Sequence, residues 1–181
     1  PDVNTSFAEF NANRDGQIAY GFSATKNIGH KAAEEIVRAR NDKGKFKTVF
    51  DLVQFSNPQS LNRKVLESLV LSGACDNLEG HRAQKFEAVD TALQFGQAFH
   101  HSRNTDQVDM FGIGGDSVVV TKPVLPEVES WSEEECLTRE KELIGFYLSG
   151  HPLDKHRVEL SEFNNVDLTN WEPKKLPKEI H

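Results

Sequence analysis

Ala24-Thr25-Lys26-Asn27-Ile28-Gly29-His30-Lys31-Ala32-Ala33-Glu34-Glu35-Ile36 is the stretch whose reading decides the fold. Its first half follows neither a helical nor a strand period. From Ala32 onward Ala32, Ala33, Ile36, Val37 and Ala39 recur on one helical face, which predicts a helix from about His30 to Arg40 with Gly44 beyond its end. A tight turn placed directly before a helix presents that helix's first amides, which have no intrahelical acceptor, to whatever stands in front of them. Together with the positive end of the helix, such amides suit one phosphate group.

The pattern matches a helix-hairpin-helix motif, and its candidate DNA contacts are Lys26, Asn27, Ile28, Gly29, His30 and Lys31. Gly29 allows close approach because it has no side chain. Ala32 and Ile36 are expected to pack the second helix on the first, and Lys26 and Lys31 to add charge. Contacts to a phosphate carry no base information, so binding of this kind is independent of DNA sequence. The motif departs from its usual form at Asn27, where glycine is normal, but Asn tolerates a left-handed backbone better than most residues. An ordinary helix pair joined by a glycine turn is the alternative. The helix from Leu61 to Gly73 resembles the second half of another such unit. Its turn, Asn57-Pro58-Gln59-Ser60, lacks the glycine hairpin and is read as a structural partner without the phosphate contact.

Working outward, residues 1–20 read as a short hairpin around Asn13-Arg14-Asp15-Gly16, because Asp-Gly is a tight-turn signal and Gln17-Ile18-Ala19-Tyr20 alternates beyond it. Thr48 is expected to cap a helix through Val49, Leu52, Val53 and Phe55, stopped by Asn57-Pro58. Ser60 is expected to cap the next, which carries Leu61, Val65, Leu66, Leu69 and Val70. One longer helix is predicted from about His81 to His101, and regularity is lost after Ser102. Asp106 to Ser130 reads as loop and linker, with three glycines and two prolines. Ser132-Glu133-Glu134-Glu135 then opens a last helix, with acids where the dipole favours them and Leu137, Ile144, Tyr147 and Leu148 on its apolar side before Gly150 and Pro152. Two readings of Trp171 stay open, packing on the body or on a neighbour. The expected fold is therefore mainly α: a tandem helix-hairpin-helix domain over 21–104 behind a short β-hairpin in 1–20, a flexible loop and linker over 105–130, and an additional C-terminal helix with its connection in 131–181.

With 37% hydrophobic residues among 181, a real but not large core is available. The net charge of -7 argues against wholesale coating of nucleic acid, yet it is unevenly spread. Residues 26–48 hold seven bases against three acids, whereas 105–142 hold ten acids against three bases. A phosphate would meet the first segment. No apolar run reaches membrane-spanning length, which gives no membrane partner, and the start Pro1-Asp2-Val3-Asn4 is unlike a signal peptide and reads as the start of an excised piece. Cys75 and Cys136 are isolated, so free thiols in a reducing cytoplasm are expected and no metal site. The scattered histidines suggest no catalytic set, and His151 before Pro152 reads as a helix terminator.

Gln107-Val108-Asp109-Met110-Phe111 is an amphipathic peptide in polar, glycine-flanked surroundings. Extended, it turns Gln107 and Asp109 to one side and Val108 and Met110 to the other, with Phe111 as a terminal anchor. Burying Met110 and Phe111 would contribute roughly 1.5 to 3 kcal/mol each before the ordering cost. An apolar pocket on another protein and simple capping of a nearby helix pair are both compatible with composition.

Tyr20-Gly21-Phe22-Ser23-Ala24-Thr25-Lys26-Asn27-Ile28-Gly29, Leu61-Asn62-Arg63-Lys64-Val65-Leu66-Glu67-Ser68-Leu69, Ser72-Gly73-Ala74-Cys75-Asp76, Gln107 to Phe111, and Glu140-Lys141-Glu142-Leu143-Ile144-Gly145-Phe146-Tyr147-Leu148-Ser149-Gly150-His151-Pro152-Leu153 occur in that order. The ordered set resembles the bacterial replicative DNA polymerase III alpha-subunit family over most of residues 1–155. The resemblance implies the region between the fingers and the oligonucleotide-binding fold, with duplex DNA held by the tandem domain and the sliding clamp (beta subunit) held by Gln107, Val108, Asp109, Met110 and Phe111. It also implies other polymerase III holoenzyme subunits as partners. The polymerase's catalytic aspartates and its magnesium fall in the palm, outside this chain, which is expected to hold no catalytic residue, cofactor or metal and to lack polymerase activity by itself. A free-standing helix-hairpin-helix DNA-repair or adaptor protein is the second reading.

Overall fold

The computed structural model describes residues 1–12, 16–108 and 120–163, with the backbone alone for 103–108 and 163. They fall into two compact units, Pro1–Leu148 and Ser149–His181. In the first, strands β1 (Asn11–Ala12) and β2 (Ile18–Ala19) pair antiparallel with Asn11 opposite Ala19, as the hairpin reading requires. A 3-10 turn, Phe22–Ala24, precedes helices α1 (His30–Lys43), α2 (Val49–Phe55), α3 (Arg63–Leu71), α4 (Arg82–Glu87), α5 (Val89–Val108) and α6 (Glu133–Ile144). In the second, a 3-10 turn at Asp154–His156 runs into α7 (Arg157–Phe163).

Local chemistry explains the helix starts. Thr48 caps α2 with a full capping box: its side chain accepts from the Asp51 amide at 3.2 Å, and Asp51 Oδ2 accepts from the Thr48 amide at 2.9 Å. Asn62, not Ser60, caps α3, its Oδ1 accepting from the Val65 amide at 3.1 Å. Ser60 sits two residues too early, with its own amide already bonded to Asn57 O. The predicted 81–101 helix is two helices meeting at Ala88, because its apolar period runs across the break without registering it. His81 and Gln84 cap α4 reciprocally. The backbone of α5 stays helical to Val108, past the Ser102 boundary expected from sequence. At the other end Ser132 caps α6 as expected, but α6 stops at Ile144 because Gly145 is left-handed, so Tyr147 and Leu148 follow the helix instead of lying on it.

Apolar faces of α1, α2, α3 and α5 converge on one core containing Phe22, Ile28, Ile36, Phe50, Leu52, Leu66, Leu69 and Phe95. Each large side chain so enclosed contributes roughly 1.5 to 3 kcal/mol. Polar groups at its edge are paired. Lys85, 1% exposed, donates to Cys75 O at 2.8 Å, and the Cys75 thiol is pushed up to about 12 by burial. Arg82 joins α4 to α6: it donates to both Asp76 oxygens at 2.8 and 2.6 Å, to Cys136 O and to the buried Glu140 carboxylate at 3.3 Å.

Residues 120–132 have no regular structure yet lie fastened along this body. Lys122 Nζ reaches Asp51 Oδ1 at 2.5 Å, Gln84 donates to Pro126 O at 3.1 Å, and Trp131 meets Phe86 with Arg139 4.1 Å above its ring. Burial would raise the Asp51 carboxyl, but Lys122 and the Lys47 and Thr48 amides outweigh it and hold the group below its ordinary value. A depressed carboxyl stabilises the fold fully above the unfolded-state value, about pH 4, and loses that contribution as pH falls through its lower native value. Denaturant melts between pH 6 and 2 should therefore show a loss of stability below about pH 4 that is smaller in Asp51→Asn, whose stability is lower from the outset.

Candidate nucleic-acid interface

The candidate turn is built on a backbone approach that excludes side chains. Phe22 and Ser23 donate to Phe7 O and Ala8 O at 3.0 and 2.9 Å, and a Cβ on Gly21 would lie 2.5 Å from the backbone carbon of Glu9. This close pairing seats Phe22 fully in the core. The first helix expected of the motif is thus reduced to the 3-10 turn Phe22–Ala24, against which α1 packs, burying Ala32, Ala33, Ile36 and Ala39 in the core.

From there the chain reverses in a few residues. Thr25 accepts through its carbonyl from the Ile28 amide at 3.1 Å, Asn27 takes φ 68°, and Ile28 turns inward to 3% exposure. Asn27 is the one non-glycine residue with positive φ among the described residues, and its Nδ2 donates to Ser68 Oγ on α3 at 3.2 Å. The asparagine that departs from the motif therefore keeps the left-handed turn and adds a tie to α3. Gly29 follows in extended backbone, φ -73° and ψ 157°, and its carbonyl accepts from the Ala32 and Ala33 amides. The amides of Gly29, His30 and Lys31 have no acceptor among the described residues, and a Cβ on Gly29 would meet nothing within 4 Å. Three donors at the positive end of a fourteen-residue helix thus face open space.

Other predicted contacts are differently placed. Lys26 and Lys31 are exposed, but the Lys26 amide donates to Leu143 O near the end of α6 at 3.0 Å and is withdrawn from any ligand. His30 is held between carboxylates, with Nδ1 3.1 Å from Glu9 and Nε2 3.2 Å from Glu34. Of the bases in 26–48, Arg40 donates to Val3 O and Ser6 O, and Arg38 is paired with Glu35 and Asp42. Lys26, Lys31, Lys43, Lys45 and Lys47 remain as the exposed charge. Neither Leu143 nor Glu9 was identifiable from sequence, since each reaches the turn through tertiary packing.

Along the second turn the amides ahead of α3 are taken up, whereas those of Asn62, Arg63 and Lys64 at its start have no acceptor among the described residues. Gln59 donates to Asn57 Oδ1, Ser60 and Leu61 donate to Asn57 O, and the Asn57 amide donates to Glu35 Oε1 of α1 at 2.5 Å. Pro58 has no amide hydrogen. Of the five residues read as a clamp contact, Gln107 and Val108 end the backbone of α5, while their side chains and the whole of Asp109, Met110 and Phe111 lie outside the described residues. No three His, Cys, Asp or Glu side chains among the described residues stand close enough to hold a metal ion. Among those residues no helix is long and apolar enough to cross a membrane.

A left-handed turn, a buried hydrophobe and open amides at a helix start define a helix-hairpin-helix module, and a family model described as a helix-hairpin-helix motif matches residues 1–85. Across nearly its whole length the chain matches the DNA polymerase III alpha-subunit family. It is 35% identical over 173 residues, 96% of the chain, to the DNA polymerase III subunit alpha of Vibrio cholerae serotype O1, and 34% identical over 181 residues, 99% of the chain, to that of Escherichia coli K12. With the Caulobacter vibrioides protein the match is 34% over 85% of the chain. The chain spans 15% and 16% of the length of the first two relatives.

The turn's geometry sets its tolerance. Asn27→Gly should keep the turn, while Asn27→Val should destabilise the chain by about 1 to 2 kcal/mol, the penalty for a left-handed β-branched residue. Chemical denaturation of the two variants checks this, and equal losses would show that the Ser68 contact outweighs the backbone requirement.

Proposed function

We propose that the chain is a non-catalytic module of a replicative DNA polymerase alpha subunit, which holds the backbone of duplex DNA at the Asn27–Lys31 turn and the sliding clamp through Gln107–Phe111. The observation that carries the DNA half is the trio of open amides at Gly29, His30 and Lys31 behind a left-handed Asn27. They can receive one phosphate without reading a base, and exposed Lys26 and Lys31 add long-range attraction. Glu9 and Glu34, close to His30, temper that attraction and suit a contact that must release as the enzyme advances. DNA synthesis, its magnesium and the remaining holoenzyme subunits belong to the parent polymerase in this reading.

The clamp half rests on the order of sequence blocks shared with the relatives and on the anchoring of the chain on both sides of the peptide. Before it runs α5; after it the strap of 120–132 is fastened at Asp51, Gln84 and Phe86. A peptide tethered at both ends to a DNA-holding body raises the effective concentration of each contact for the other, so neither needs to be tight. The cytoplasm, where replication proceeds, is the compartment this function requires.

Gly29→Val should leave stability within about 0.5 kcal/mol, since its backbone angles suit any residue and the space around it is open, but should weaken duplex binding about tenfold, or ~1.4 kcal/mol. Fluorescence anisotropy with a labelled duplex at several salt concentrations measures it; unchanged affinity would remove the turn from the interface. Met110→Ala combined with Phe111→Ala should abolish clamp binding in a surface-plasmon assay and leave duplex affinity unchanged.

A further inference from the structure

We infer that Glu140, on α6, is a positioning residue for the first turn, so that the DNA contact is completed from outside residues 1–85, which carry the helix-hairpin-helix motif. The inference rests on the reading of the first turn as a phosphate site. α6 ends at Ile144 against a left-handed Gly145, and the carbonyls of its last turn therefore lack intrahelical donors. One of them, Leu143 O, accepts from the Lys26 amide at 3.0 Å. Just past the helix, Phe146 sets its ring against Tyr20 at 6.0 Å between centroids, and the Tyr20 hydroxyl donates to Ala24 O at 3.1 Å. The end of α6 thus reaches the turn on both sides of Thr25, at Ala24 through Tyr20 and at Lys26 directly. Lys26 immediately precedes the left-handed Asn27, so holding its amide orients the reversal that leaves the amides of Gly29, His30 and Lys31 open.

Glu140 is what holds the end of α6 in place. Its side chain is buried and divides its two oxygens. Oε1 accepts from the Leu148 amide at 2.9 Å, which fastens the chain back onto α6 after Gly145, and Oε2 accepts from Arg82 at 3.3 Å. Arg82, at the start of α4, is itself fixed: it donates to both Asp76 oxygens at 2.8 and 2.6 Å. It also passes so close to the end of α3 that a Cβ on Gly73 would lie 2.3 Å from the guanidinium. A bonded path therefore runs from α4 through Glu140 to residues 143–148, and from there to Lys26. Glu140 acts on the turn through Leu143.

The test compares the wild-type chain with Glu140→Ala and Glu140→Gln. Hydrogen exchange of the Lys26 amide is followed by heteronuclear NMR, and affinity for a labelled duplex by fluorescence anisotropy. Glu140→Ala releases Leu148, and the Lys26 amide should exchange about tenfold faster, the factor that goes with losing one hydrogen bond. Duplex affinity should fall about fivefold, a size of effect found for residues that act on a site without touching its ligand. Glu140→Gln keeps an acceptor for the Leu148 amide and should restore both readouts to wild-type values. Arg82 retains both Asp76 oxygens in either variant, so its charge stays paired. Asp51→Asn, which lowers stability through α2, controls for destabilisation alone and should move neither readout in the folded protein. Should Glu140→Ala not fold, Glu140→Met fills the same space without an acceptor and takes its place. An unchanged Lys26 amide in a folded variant lacking the acceptor, a Glu140→Gln no better than that variant, or an equal response from Asp51→Asn overturns the inference. So does undiminished duplex affinity in Glu140→Ala where Gly29→Val weakens it. If duplex affinity holds in both while Lys26 exchange rises, the reading of the first turn as a DNA contact falls instead, and the link from Glu140 to the turn stands.

Discussion

Reversal of the chain between Thr25 and Gly29 requires one residue in left-handed backbone, and the rest of the candidate interface follows from that requirement. With Asn27 at φ 68°, Ile28 is carried into the core and Gly29 is left outside it in extended backbone. Burial of Ile28 then anchors the start of α1, and the first amides of α1 are directed to solvent because the core lies behind them. An asparagine at this position is less permissive than glycine, but its amide reaches Ser68 on α3. The turn is thereby fixed to the second half of the tandem, and a local conformational penalty is offset by a long-range hydrogen bond.

Electrostatics divides the two halves of the tandem. The basic stretch near the first turn is less basic than its composition, because Arg40 supports the N-terminal segment and Arg38 neutralises Glu35 and Asp42. What remains exposed is lysine, which attracts a polyanion without fixing its geometry. Geometry at the first turn comes from the backbone amides of Gly29, His30 and Lys31.

Residues 120–144 are integral to the same body as the helices before them. Lys122 on Asp51, Trp131 on Phe86, and Arg82 with Glu140 fasten the strap and α6 onto α2 and α4. Leu143, near the end of α6, then accepts from the Lys26 amide and braces the first turn from behind. Elements on either side of the peptide therefore meet at the turn proposed to hold DNA.

Sequence alone determined the parts governed by local chemistry. The Thr48 cap, the hairpin, the start of α1 at His30 and the left-handed tolerance of Asn27 depend on residues within a few positions of one another, and each was legible there. Helix breaks were less so: the apolar period runs through Ala88 and past Gly145, although the left-handed Gly145 ends α6. What tertiary structure alone decided is which polar groups remain available. Glu35 lies twenty-two residues from Asn57 and Leu143 more than a hundred from Lys26, and a hydrogen bond saturates a donor wherever in the chain its acceptor comes from. A linear pattern can mark where amides emerge from a turn, but whether they stay open is set by which distant side chains and carbonyls the core brings to them.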